Sequence, residues 1–121
     1  MGYESRLFVV SKSDTPYDDW YVWGQLIATL NLSRISDKML SHICEHPVTN
    51  CCFYDGFSEM VLKDKYGKPL REVPVGKMIE YLEEAIEEDD YRRYPPALAI
   101  LKAFDSDPVK WKDLVVLHYG Y

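Results

Sequence analysis

The sequence predicts an α+β domain: a mixed, largely antiparallel β-sheet with two main helices packed on one face. Three observations carry this. Runs rich in β-branched and aromatic residues open and close the chain, E-S-R-L-F-V-V-S-K-S at 4–13 and D-L-V-V-L-H-Y-G-Y at 113–121. In the second half, Met78, Ile79, Leu82, Ala85 and Ile86 recur at helical spacing. Turn residues punctuate the middle without any linker or repeat, so 1–121 reads as a single domain.

The elements follow in order. The first run is a strand, and S-D-T-P-Y-D-D-W at 13–20 reads as an acidic, proline-containing loop. A second strand is expected over 25–32, with Leu26, Ala28, Leu30 and Leu32 on one side; Ile27 interrupts the other. Ser36 is placed to cap a short helix whose apolar positions are Met39, Leu40 and Ile43, and Pro47 ends it. C-C-F-Y-D-G-F reads as a strand entering a turn at Asp55-Gly56. Two further strands, E-M-V-L-K-D and K-P-L-R-E-V, flank K-Y-G-K as a hairpin tip. Pro95-Pro96 opens the second main helix, with Ala97, Ile100, Leu101 and Phe104 as its core face. The closing strand is apolar enough to be central.

Composition bounds the function. A chain of 121 residues with 47% apolar and 28% charged residues is globular and can bury a real core. Aromatics make up 14%, and tyrosine and tryptophan on a surface suit recognition. The formal net charge of −6 disfavours a grip on phosphate backbones and favours a basic protein partner. No run has the length of a membrane span, and the start M-G-Y-E-S-R lacks a signal-peptide core. With three cysteines, an odd number, the expectation is a cytoplasmic protein with reduced thiols.

All three cysteines and two of the three histidines fall in S-H-I-C-E-H-P-V-T-N-C-C at 41–52. Thiolate and imidazole are the usual ligands of a structural zinc, which takes four in a tetrahedron. On a helix His42 and His46 share a face and Cys44 points elsewhere; a frayed end lets Cys44 and His46 turn toward the strand. Cys44, His46, Cys51 and Cys52 are the expected ligands, with His42 in reserve. The competing reading is plain packing, because free cysteines behave as small buried hydrophobes. A reactive thiol is a third.

E-Y-L-E-E-A-I-E-E-D-D at 80–90 carries seven acids and no base. Read structurally, it is a solvated helix face that opposes the helix dipole at its end. Read functionally, Glu83, Glu84, Glu87, Glu88, Asp89 and Asp90 form a surface that docks on a basic partner. His118 in the last strand reads as a packed or edge residue. G-x-S-x-G, Walker A, G-x-G-x-x-G and H-E-x-x-H are all missing, so an enzyme is not expected.

The opening M-G-Y-E-S-R-L, Y-G-K-P-L at 66–70, Y-R-R-Y-P-P at 91–96 and the ending V-L-H-Y-G-Y resemble small phage and prophage accessory proteins of Gram-positive bacteria. Among these, the size, acidity and zinc-capable cluster are similar to a type II-A anti-CRISPR, an inhibitor of Cas9. The resemblance implies stoichiometric binding to a basic, nucleic-acid-handling enzyme in the host cytoplasm, blocking nucleic-acid loading without turnover. It transfers no functional residue. The alternatives are a zinc-dependent or thiol enzyme built on 42–52 and a non-inhibitory interaction module.

Overall fold

A computed structural model describes residues 4–55, 60, 61 and 63–121. The elements run β1 (Ser5–Pro16), β2 (Val22–Ser33), α1 (Asp37–Cys44), β3 (Cys51–Tyr54), β4 (Met60–Val61), β5 (Arg71–Pro74), α2 (Val75–Glu88), α3 (Tyr94–Asp105) and β6 (Leu114–Gly120). The strands form one sheet in the order β4-β3-β2-β1-β6-β5, antiparallel except where β3 joins β2. The α+β reading stands, and β6 is central, between β1 and β5.

Strand alternation sorts the core into two clusters. Leu7 and Val9 of β1 point to one face, where Val116, Leu30 and Leu32 meet the helices. Helix α1 supplies Met39 and Ile43, α2 supplies Met78, Leu82 and Ala85, and α3 supplies Tyr94, Ala97 and Leu101. Phe8 and Val10 point the other way, to Leu117, Phe53, Leu70 and Cys51. Ile27 explains its own irregularity. Val9 pairs with Ala28 but Val10 pairs with Leu26, so Ile27 is the extra residue of a β-bulge. The bulge turns Leu26 to the second cluster while Ala28 stays on the first.

The sheet closes on itself. Thr49 N–H donates to the Leu70 carbonyl at 3.0 Å, Glu72 N–H to that of Pro47 at 3.0 Å, and Val48 bridges Arg71. Three residues later, Cys51 and Cys52 pair with Val22 and Trp23 of β2. The segment 47–52 thus ties the β5 edge to β2. Curling brings Phe8 and Phe53 together at 5.0 Å between ring centroids, although their strands are separated by β2. A polar network seals the join: Lys12 Nζ and Thr49 Oγ1 both donate to Glu72 Oε1, at 3.0 and 2.7 Å.

Several expectations need correction. β1 runs to Pro16, so half of the expected acidic loop is strand and the turn is shorter. K-Y-G-K is a turn, with Gly67 at φ 78° and its N–H donating to the Asp64 carbonyl. The flanking arms meet across it as expected at the tip, where Lys63 bridges Pro69 antiparallel and Asp64 N–H donates to the Lys68 carbonyl at 2.9 Å, and then part, β4 pairing with β3 and β5 with β6. Ile100, expected in the core, is 39% exposed, and Tyr94 takes its place. The expected turn residue Gly56 lies outside the described residues.

Candidate functional site

The Cys/His stretch spans the end of α1 and the start of β3. Ser36 caps α1 as expected, its Oγ accepting from Met39 N–H at 3.1 Å. From that helix His42 stacks on Tyr81 of α2, ring centroids 5.1 Å apart and 12° between planes. Just past the helix, His46 Nε2 lies 2.7 Å from the Tyr81 hydroxyl. The two histidines therefore share a face, and that face meets a tyrosine. Cys44 is exposed and lines a cleft with Asp37, Leu40 and Arg71.

Cys51 and Cys52 are buried and alternate across the strand. Cys51 joins Phe8, Val10 and Phe53 in the second cluster, where burial pushes its thiol up to about 11. Cys52 directs its Sγ to the Val22 carbonyl at 3.4 Å, and burial raises its thiol pKa too. The four expected zinc ligands are thus not gathered at one point. Among the described residues no group of three or more His, Cys, Asp or Glu side chains is placed to hold a metal. As arranged, the donors do not fit a tetrahedral ion, and 47–52 is occupied with closing the sheet.

The acidic segment emerges at the C-terminal end of α2. Met78, Leu82 and Ala85 anchor that helix, leaving Glu83, Glu87, Glu88, Asp89 and Asp90 exposed and Glu84 half-buried. Part of the charge is answered within the chain. Lys38 of α1 pairs with both Glu84 and Glu88, Lys102 with Glu83 at 3.5 Å, and Arg34 with Asp89 at 3.8 Å. The Lys38 hydrogen bond holds the Glu84 carboxyl below its usual range. Among the described residues no ion pair within 4.0 Å reaches Glu87 or Asp90. Sequence reasoning saw the acids and missed the cations, because Arg34, Lys38 and Lys102 sit on other elements.

Below α1 lies a cleft of about 490 Å³, lined by Asp37, Cys44, Asp64, Lys68, Arg71 and His118 among others. His118 is 6% exposed and its Nε2 lies 2.9 Å from Ser5 Oγ on the neighbouring strand. Burial pulls its pKa down to about 4, so it is neutral at pH 7. The expectation of a packed histidine describes it. Ser5 is fully buried, so a substrate in the cleft has no access to its hydroxyl.

Exposed aromatics gather where β1 turns into β2. Tyr17, Trp20 and, beside them on β3, Tyr54 stand out from the surface. Among the described residues no helix is long and apolar enough to cross a membrane. No protein-family model, no curated protein and no solved structure matches this chain.

Proposed function

We propose that this chain works by stoichiometric binding, without turnover, to a basic surface of a nucleic-acid-handling defence enzyme in the bacterial cytoplasm. The phage resemblance makes Cas9 the first partner to test, with the bound protein blocking guide or target loading. The observation that carries this reading is the exposed acidic end of α2. There seven acids between 80 and 90 meet Arg34, Lys38, Lys77 and Lys102 in ion pairs, and with Arg92 and Arg93 just beyond them the acids still outnumber the bases by one, with Glu87 and Asp90 left out of these pairs. Rigid presentation matters as much as charge. Leu82 and Ala85 fix the helix to the core, so little ordering is needed on contact. A basic channel meeting this end would gain on-rate by steering, and phosphate backbones would be repelled from it.

The test is Cas9 cleavage of a target duplex with added protein. Loss of cleavage near equimolar protein is expected, and loss of inhibition when Glu87 and Asp90 are both changed to Lys. Undiminished cleavage at molar excess rejects the reading.

A further inference from the structure

We propose that the β1–β2 turn is an anchor for an arginine-bearing segment of a protein partner, taken up by Trp20, Tyr17, Trp23 and Tyr54. This rests on reading the chain as a protein-binding module and adds a second surface, distinct in sequence from the acidic helix.

Trp20 is 81% exposed, yet the turn that carries it is tightly held. Asp18 Oδ1 accepts from the N–H groups of Trp20 at 2.7 Å and Tyr21 at 2.8 Å. The Tyr21 carbonyl accepts from Tyr17 N–H at 2.9 Å and Asp18 N–H at 3.3 Å. An indole left in water adds nothing to folding, but one presented on an ordered turn loses little entropy on binding. A row of further rings runs from the same turn across β2 to β3. Tyr17 meets Trp23 edge-on at 4.9 Å, and Trp23 stacks on Tyr54 at 5.7 Å. Tyr17 and Tyr54 keep about half of their surface open.

The charge of the patch selects the occupant. From 13 to 33 the chain carries Asp14, Asp18 and Asp19, all exposed, and no Lys or Arg. The base just before it, Lys12, is engaged with Glu72 at 3.0 Å. Aromatic faces on a segment whose own charged residues are all carboxylates complement guanidinium, which stacks on rings and bonds carboxylates in a fork. The same carboxylates repel the phosphates of a nucleic acid strand or an anionic membrane, which aromatic rings alone would not do.

The experiment follows the three indole N–H signals, from Trp20, Trp23 and Trp111, by two-dimensional NMR of the whole chain. The probe is a short arginine–glycine peptide, and its control carries citrulline, isosteric and neutral, in place of arginine. Shifts of the Trp20 and Trp23 signals with Trp111 unmoved are expected, along with silence from the citrulline peptide. Trp20→Ala, and separately the pair Asp14→Asn and Asp19→Asn, should weaken binding about tenfold or more. Unchanged melting of these variants shows that folding is not the cause. Equal binding of the citrulline peptide, peptide affinity untouched by Trp20→Ala, or binding to phosphatidylserine vesicles or single-stranded DNA each overturns the proposal. Cas9 inhibition that survives Trp20→Ala overturns the anchor but leaves the inhibitor reading standing. Arginine-dependent Trp20 shifts without any inhibition support the anchor and reject the inhibitor reading.

Discussion

Cys51 fills the space in front of Gly24: a β-carbon on that glycine would collide with the Cys51 Sγ and lie 2.5 Å from Val10 Cγ1. The contact sits where β3 meets β2, since Val22 pairs with Cys51 and Trp23 with Cys52. Both neighbours are buried and the Cys52 backbone stands close behind, so neither can step aside cheaply. Gly24→Ala should therefore destabilise the chain by about 1–3 kcal/mol, the usual range for an overpacked core. Adding Cys51→Ala removes the Sγ collision and leaves the one with Val10, so the double variant should lose less than the sum of the two single losses. Urea midpoints of the three variants measure this; additive losses would mean that the two residues do not share one space.

The same placement fixes thiol chemistry. Cys44 is exposed, whereas burial raises the thiol pKa of Cys51 to about 11 and also raises that of Cys52. The thiolate is the reactive form, so an aromatic disulfide reagent near neutral pH should modify one thiol quickly. The remaining two should respond only as the sheet opens. A metal chelator should leave both phases unchanged, because exposure alone separates Cys44 from the buried Cys51 and Cys52. A chelator that quickened the reaction of two or more thiols would show that zinc draws Cys44 to the strand cysteines after all.

Much of this fold is legible in the sequence where the signal is local. The Ser36 cap, the α2 stripe and the central closing strand were readable because one residue or one short period determines each of them. Ile27 was readable as an anomaly; its meaning, a bulge, needed β1 alongside. The cysteine cluster shows where local reading stops. Its two histidines belong to Tyr81, thirty-five residues from His46, and Cys51 belongs to Gly24. Crowding along the chain does not bring these side chains to one point, because 47–52 runs from the β5 edge across to β2. The K-Y-G-K tip was readable because Asp64 and Gly67 set its geometry locally and Lys63 bridges Pro69 across it; where its arms go beyond that bridge is decided by distant partners, β3 and β6.

Tyr81 links helix α2 to the end of α1 by holding both histidines. Its hydroxyl meets His46 Nε2 at 2.7 Å in a part-buried setting, and its ring stacks on His42. Tyr81→Phe keeps the stack and removes the hydrogen bond, for an expected loss of about 0.5–1.5 kcal/mol. Tyr81→Ala removes both and should cost more. Calorimetric melting of the pair separates the two contributions, and equal losses would refute the ordering.

His118 should make the fold acid-sensitive over a defined window. Its side chain is buried between strands with Ser5 at hydrogen-bond distance, and Asp64, Lys68, Arg71, Asp37 and Cys44 line the adjoining cleft. Burial lowers its pKa from 6.5 to about 4, against a smaller opposing pull from Asp64. Above pH 6.5 the imidazole is neutral in both folded and unfolded chains, so its environment costs nothing there. As pH falls from 6.5 towards 4, the unfolded chain binds a proton that the native one refuses, and stability drops. Below about 4 both forms are protonated and the loss levels off, on the order of 3 kcal/mol in all. Carboxylates titrate in part of this range, so the informative quantity is the difference between wild type and His118→Gln. The variant is expected to be less stable near neutrality, because a buried pair is disturbed, and to have a shallower slope of urea stability against pH over the window. Parallel slopes for the two proteins would show that His118 can take its proton inside the fold.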